Sequence, residues 1–179
     1  MDSGGSALRG RRVAVLAERL YQELELWYPL LRFREEGAET LVVAPQAAEY
    51  SSKLGYPVTA TVAAAQARAE DFDAVVIPGG YCPDYLRRDA RLVALVRAAV
   101  QRGAVVGAIC HGPWMLCSAG VLRGRRATSH AAIRDDVVHA GAQWEDAEVV
   151  VDGPLVTSRR PEDLPAFCRA IATQLRAQG

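Results

Sequence analysis

The 179-residue chain lacks an excess of charge of either sign, because Lys plus Arg and Asp plus Glu each number 21. Nothing in this balance predicts a basic surface for nucleic acid. The chain also lacks an apolar run long enough to cross a bilayer, and its first residues carry no apolar segment of the secretory type. We therefore expect a cytoplasmic globular protein that binds neither a membrane nor nucleic acid.

Residues that bind metals and cofactors are scarce. The four cysteines, at positions 82, 110, 117 and 168, form no CxxC pair, and the three histidines are scattered at positions 111, 130 and 139. This pattern lacks the ligand spacing of a structural zinc site and predicts reduced thiols. No GxGxxG motif follows the first apolar run, so we predict neither a metal nor a cofactor.

Short apolar runs alternate with helical segments along the chain. "RVAVLA", "ETLVVA", "DAVVI" and "AVVGAI" predict buried strands, and the residues between them show helical spacing. Alternation of this kind indicates an α/β fold with a mostly parallel sheet. No linker or repeat divides the chain. We therefore predict one domain over residues 12–179, preceded by a flexible leader over residues 1–11.

The segment "AICHGPWML" joins a predicted strand to a predicted helix. Ligands of open α/β sheets bind beyond the carboxyl ends of the strands, and a sharp strand-to-helix turn lifts a side chain out of the sheet. Gly112 removes bulk beside Cys110, and the helix that begins at Pro113 is expected to lower the pKa of the thiol. A cysteine that ends a strand is more often a small buried hydrophobe, so the residues alone leave both interpretations open.

Other residues are placed near this edge of the sheet by their position after strands. Gly79 and Gly80 follow the strand "AVVI" and offer bare backbone N–H groups for an oxyanion. His130 ends the short segment "RATSH" and is expected to line the same pocket. Cys82 is predicted to lie in a loop. Glu25 is interpreted, from the residue pattern alone, as a solvated charge.

Several segments resemble one known family. "AICHGPWMLCSAGVLRGRRATS", "DFDAVVIPGG", "EVVVDGPLVTSR" and "LELWYPLLRFREEG" are similar to segments of the PfpI-type intracellular proteases and deglycases of the ThiJ/PfpI superfamily, which is class I glutamine amidotransferase-like. The likeness runs from about Arg12 to Leu175. The resemblance implies a flavodoxin-like three-layer sandwich, with a mostly parallel central sheet flanked by helices, and Cys110 as the nucleophile.

The resemblance also assigns roles to neighbouring residues. Glu25, four residues before Pro29, matches the family glutamate that is protonated and donates a hydrogen bond to the reactive thiolate. His111 matches a histidine that pairs with an acidic residue of a neighbouring subunit, and Asp84 stands at the position of that acid. The implied assembly is a homodimer or a hexamer, in which Asp84 completes the neighbour's site. Backbone N–H groups near Gly80 and His111 would form the oxyanion hole.

Three functions remain open from the sequence, and Tyr81 and His130 are expected to set the specificity of each. The leading hypothesis is a stress-response enzyme of glyoxalase or deglycase type, in which Cys110 attacks small carbonyl or glycated substrates. The alternative enzyme is a cysteine peptidase or small-amide hydrolase that uses Cys110, His111 and Asp84. The non-enzymatic alternative is an oxidant sensor based on the Cys110 thiol.

Overall fold

The protein is described by a computed structural model over residues 7–178. Its strands are β1 (Arg12–Leu16), β2 (Glu39–Ala44), β3 (Glu49–Ser51), β4 (Pro57–Thr59), β5 (Val62–Ala63), β6 (Ala74–Ile77), β7 (Val105–Ile109), β8 (Arg126–Ala127), β9 (Gln143–Trp144), β10 (Val149–Asp152) and β11 (Leu155–Ser158). Its α-helices are α1 (Glu23–Glu35), α2 (Cys82–Leu86), α3 (Ala90–Gln101), α4 (Pro113–Ala119), α5 (Arg134–His139) and α6 (Leu164–Ala177). Short 3₁₀ helices lie at Ala69–Asp71, Ala131–Ile133 and Pro161–Asp163.

The main sheet has the strand order β10-β11-β7-β6-β1-β2-β5. All neighbours in it are parallel except β10, which pairs with β11 in the antiparallel sense. The chain passes from β1 to β2 on one side and later returns to β6 on the other, so the strand order reverses between β1 and β6. Such a reversal opens a crevice beyond the carboxyl ends of the strands. The structure confirms the predicted α/β fold with a mostly parallel sheet.

Helices cover both faces of the sheet, as a sheet buried on both sides requires. α1 and α6 contact each other on one face, and α3 and α4 contact each other on the other. β6 and β7 are buried at every position because helices pack against each face of them. The contact with α6 is close at Gly107, where a Cβ would lie 2.4 Å from Ile171 Cδ1. The three layers form the flavodoxin-like sandwich that the resemblance implied.

Two local predictions differ from the structure. Residues 1–6 of the predicted leader lie outside the described residues, but Leu8 is buried and its amide donates to Glu36 O at 2.8 Å. The packed part of the chain therefore begins before Arg12, because Leu8 supplies apolar surface to the core. Cys82 was predicted in a loop, whereas it is the first residue of α2 and is fully buried. None of the helices in residues 7–178 is long and apolar enough to span a membrane.

Candidate active site

Cys110 occupies a strained turn directly after β7. Its φ of 62° lies in the left-handed region, which costs a residue with a side chain about 1–2 kcal/mol. The turn is held on both sides, because the Cys110 amide donates to Ser158 O at 3.1 Å and the His130 amide donates to Cys110 O at 2.9 Å. A Cβ at Gly112 would lie 2.6 Å from Ile77 O, so the entry into α4 requires glycine. This strand-to-helix turn, the Cys110 elbow, places the thiol at the carboxyl ends of the parallel strands.

Glu25 reaches the same place from the first turn of α1. Its side chain is fully buried, and the Gly79 amide donates to its Oε2 at 2.8 Å. The interpretation of Glu25 as a solvated charge is therefore wrong. The reason is non-local: α1 begins over the end of β6, and Gln22 caps the helix by accepting from the Glu25 amide at 2.9 Å. Oε1 of Glu25 has no hydrogen-bond partner within residues 7–178.

Gly79 makes room for the carboxyl and the thiol to share one pocket. A Cβ at this position would lie 2.5 Å from Glu25 Oε2 and 2.6 Å from Cys110 Cβ. The Gly79 amide donates its hydrogen bond to Glu25, so it is not the free oxyanion donor predicted from the sequence. The amides of Gly80 and His111 instead favour the charged form of the Cys110 thiol, and they are the donors available at the reacting atom.

Burial controls the protonation of this pair. It raises the pKa of Glu25 to about 7, against the opposing effects of the Gly79 hydrogen bond and the Cys110 thiol. Burial, followed by the charge of Glu25, raises the pKa of Cys110 to about 12. The predicted lowering of the thiol pKa is thus wrong for the resting state, because desolvation outweighs the nearby amides. Near neutral pH the pair carries at most one negative charge.

His111 turns back onto the thiol that precedes it in the chain. Its Nδ1 lies 3.2 Å from Cys110 Sγ, and its ring stacks on His130 with a centroid distance of 4.8 Å. Burial, together with the charges of His130 and Lys53, lowers the pKa of His111 to about 4. The imidazole is therefore neutral at pH 7. His130 is held by the Ala132 amide, which donates to its Nδ1 at 3.2 Å.

Asp84 lies in α2 and is engaged by two arginines that directly follow this helix. Arg87 and Arg88 donate to its two oxygens at 2.9 and 2.5 Å. Partial burial opposes ionisation, but these two hydrogen bonds hold the pKa of Asp84 below its usual value. Within residues 7–178 of one chain, Asp84 makes no hydrogen bond to His111. The expected pairing between subunits stays a prediction.

A cavity of about 490 Å³ opens above the thiol. Its lining comprises Leu20, Gln22, Glu25, Lys53, Gly80, Tyr81, Cys110, His111, His130, Arg160 and Pro161. The fold thus brings together most of the predicted site residues. Asp84 is not among them, and Gly79 is represented only through its bond to Glu25. Lys53 and Arg160 were missed, because each stands in a loop with no surrounding motif.

Comparisons with known proteins agree on one family. The model of the DJ-1/PfpI family matches residues 11–174. The deglycase TK1284 of Thermococcus kodakarensis is 46% identical over 165 residues, covering 92% of this chain and 99% of its own length. YraA of Bacillus subtilis, whose name designates a candidate cysteine protease, is 39% identical over 160 residues, covering 89% of this chain and 95% of its own.

A solved structure shows the same architecture. It is a two-domain protein from Anabaena variabilis with DJ-1/ThiJ/PfpI-like and ferritin-like domains, and it is 40% identical with a TM-score of 0.91. The match covers 92% of this chain and 48% of that chain.

Proposed function

The chain belongs to the DJ-1/PfpI family, and on that premise we propose that it is a cysteine-dependent enzyme of glyoxalase or deglycase type. The observation that carries the proposal is the Cys110 elbow, where a thiol, a protonatable buried carboxyl and a neutral imidazole meet in one cavity. The substrates would be small reactive carbonyl compounds or their adducts with amines.

Activation of the thiol needs a local proton acceptor, since a thiol with a pKa of about 12 is almost wholly protonated at pH 7. Glu25 supplies one. When its carboxylate takes the thiol proton, the pair keeps a single negative charge, and the charge repulsion that raises the thiol pKa disappears. The amides of Gly80 and His111 then hydrogen-bond the thiolate. This proton transfer reconciles a high resting pKa with a nucleophilic Cys110.

The reaction with an α-oxoaldehyde then balances without an external oxidant or reductant. The Cys110 thiolate forms a C–S bond with the aldehyde carbon, and the resulting oxyanion takes a proton to give a hemithioacetal. A base, Glu25 or His111, removes the proton on that carbon, and a proton is returned to the adjacent carbon as the thioester forms. Water attacks the thioester, the C–S bond breaks, and a 2-hydroxy acid leaves.

We also propose that the enzyme is a cytoplasmic homo-oligomer in which Asp84 reaches His111 of a second copy. Asp84 lies in the helix that follows Gly80 and Tyr81, at the side of the cavity where Tyr81 is exposed. To contact an imidazole of another copy, its carboxylate would have to share or exchange the hydrogen bonds of Arg87 and Arg88.

The test is the formation of lactate from methylglyoxal without glutathione. Wild type and Cys117→Ala are expected to turn over, whereas Cys110→Ala is expected to be inactive. Cys117 is the matched control because it is a half-buried thiol of α4 in the same region. Lactate is measured because aldehyde loss alone also reports reversible trapping by thiols. A folded, oligomeric wild type that makes no lactate would refute the proposal.

Peptidase activity and oxidant sensing are the two alternatives, and both would use Cys110. Peptidase chemistry would use the same 3.2 Å contact between Cys110 Sγ and His111 Nδ1, and it predicts release of amines from amide substrates. An oxidant sensor would use the same thiol, and it predicts stoichiometric oxidation of Cys110 by peroxide without turnover of any carbonyl substrate.

A further inference from the structure

Two cations face the active-site cavity in addition to the groups that the reaction uses. Lys53 lies in the turn between β3 and β4, where its amide donates to Tyr21 O at 3.1 Å. Arg160 lies between β11 and the 3₁₀ helix that precedes α6. Both line the same cavity as Cys110. Lys53 is also the only lysine among the 21 Lys and Arg residues of the chain.

Neither Lys53 nor Arg160 makes a close ion pair of the kind that the neighbouring Arg159 makes. Arg159 is paired with Asp146 at 2.7 Å and with Asp163 at 2.9 Å. Arg160, by contrast, has its nearest carboxylate at 3.9 Å, on the exposed Glu162. Lys53 makes no ion pair with any of residues 7–178.

The charge of Lys53 reaches the reacting groups. It lowers the pKa of both Glu25 and His111, although burial is the largest influence on each. Among residues 7–178, Glu25 is the only residue of the cavity lining that has a carboxyl group, and its side chain is buried. Glu23, which the charge of Lys53 also reaches, and Glu162 lie outside this lining. The described lining above the thiol therefore presents two cations and no exposed carboxylate.

We propose that Lys53 and Arg160 select carbonyl substrates that carry an anionic group, a carboxylate or a phosphate, beyond the reacting carbonyl. The inference rests on the proposed carbonyl chemistry for the nature of the substrate. The cations bind the anionic end of the substrate while Cys110 attacks the aldehyde end. A neutral α-oxoaldehyde such as methylglyoxal is then a poorer substrate than an anionic one.

Two alkylating reagents of similar size, one anionic and one neutral, test the effect of the two cations without any turnover. Iodoacetate and iodoacetamide both alkylate Cys110, and peptide mass spectrometry gives the rate of each reagent at that residue. The ratio of the iodoacetate rate to the iodoacetamide rate cancels changes in thiol reactivity. We expect Lys53→Gln or Arg160→Gln to lower this ratio about threefold to fivefold each, the size of an exposed ion pair. Lys53→Arg should retain it.

Arg169→Gln is the control, because Arg169 is an exposed cation of α6 that does not line the cavity. Its ratio should equal that of wild type. A ratio that stays within the error of wild type in both Lys53→Gln and Arg160→Gln would overturn the proposal. So would an equal decrease in Arg169→Gln, which would indicate an effect of net charge alone.

Turnover identifies the anion and separates this inference from the proposed function. The substrates are 4,5-dioxopentanoate, which would yield 2-hydroxyglutarate, its neutral methyl ester, and hydroxypyruvaldehyde phosphate. The anionic substrate with the higher kcat/KM shows whether the site prefers a carboxylate or a phosphate. In Lys53→Gln, the kcat/KM of that substrate should decrease relative to the kcat/KM of the ester. Turnover of the ester at the rate of both anions overturns the inference and leaves the carbonyl chemistry intact. No turnover of any of them, with the alkylation ratio still dependent on Lys53, refutes the carbonyl chemistry and leaves anion recognition in place.

Discussion

Replacing Glu25 with glutamine is expected to stabilise the protein above neutral pH while it removes the proton acceptor of Cys110. Burial raises the pKa of Glu25 from its ordinary 4.5 to about 7, so the folded chain holds this proton where the unfolded chain has lost it. Glu25 therefore does not reduce the free energy of unfolding below pH 4.5, and its unfavourable effect grows as pH rises towards 7. At about 1.4 kcal/mol per pKa unit, the loss is about 3 kcal/mol by pH 8.

The Glu25→Gln side chain keeps an oxygen that accepts from the Gly79 amide and has no charge to desolvate. Urea unfolding of wild type and variant from pH 5 to 8.5 gives the difference in free energy of unfolding at each pH. That difference should be small at pH 5 and should favour the variant by about 3 kcal/mol at pH 8. Other titrating groups, His111 included, are present in both proteins and largely cancel.

Glu49→Gln is the matched control, because Glu49 is exposed on β3 and the pH dependence of Glu25→Gln is read against its curve. A flat curve for Glu25→Gln, or a variant less stable than wild type at pH 8, would refute the claim that burial holds the Glu25 proton. Lactate formation by Glu25→Gln should fall at least 100-fold, in line with the loss of a positioned proton acceptor. A stable variant with wild-type turnover would exclude Glu25 from thiol activation.

Gly79→Ala is expected to lower kcat/KM for methylglyoxal about 100-fold, because its Cβ would displace both the Glu25 carboxyl and Cys110. Steady-state rates measured on the folded variant test this, and unchanged turnover would contradict the close packing at Gly79. In wild type, kcat/KM should rise with pH through about 7 as Glu25 becomes able to accept the thiol proton, and a profile from pH 5 to 9 that lacks this limb speaks against the transfer. Mixed oligomers of Asp84→Asn and Cys110→Ala should recover activity that neither variant has alone, since some sites then combine an intact Cys110 with an intact Asp84. Persistent inactivity in mixtures that native mass spectrometry shows to contain both chains would exclude a shared site.

The elbow could be predicted from the sequence because its determinants are local. β7 is a continuous apolar run, and the Gly-Pro pair directly after Cys110 and His111 marks where the strand ends and α4 begins. Every feature needed to place the thiol at the sheet edge lies within a few residues. The contact of His111 with the thiol was not predictable in this way, because it depends on the unusual φ of Cys110 and on stacking against His130.

Glu25 and the cavity cations depend on contacts between distant parts of the chain. An acidic first turn is typical of an exposed helix start, and α1 has two acidic residues there. Glu25 is buried against a segment 54 residues later in the chain, where the Gly79 amide donates to its carboxyl. Lys53 and Arg160 lie in loops whose positions follow from the pairing of β3 with β4 and of β11 with β7. The resemblance identified Glu25, but no residue pattern marked the two cations.

The incorrect expectation for the thiol pKa has the same origin and bears on the mechanism. The sequence places Cys110 before a helix, and that local feature favours a thiolate. The fold also places Cys110 against Glu25 in a buried pocket, and desolvation with charge repulsion favours the neutral thiol. Because both groups have raised pKa values, they hold one charge between them and a single proton decides which group carries it. In the proposed mechanism Cys110 is therefore protonated at rest, and a substrate that lies beside the amides of Gly80 and His111 meets the thiolate only when Glu25 takes that proton.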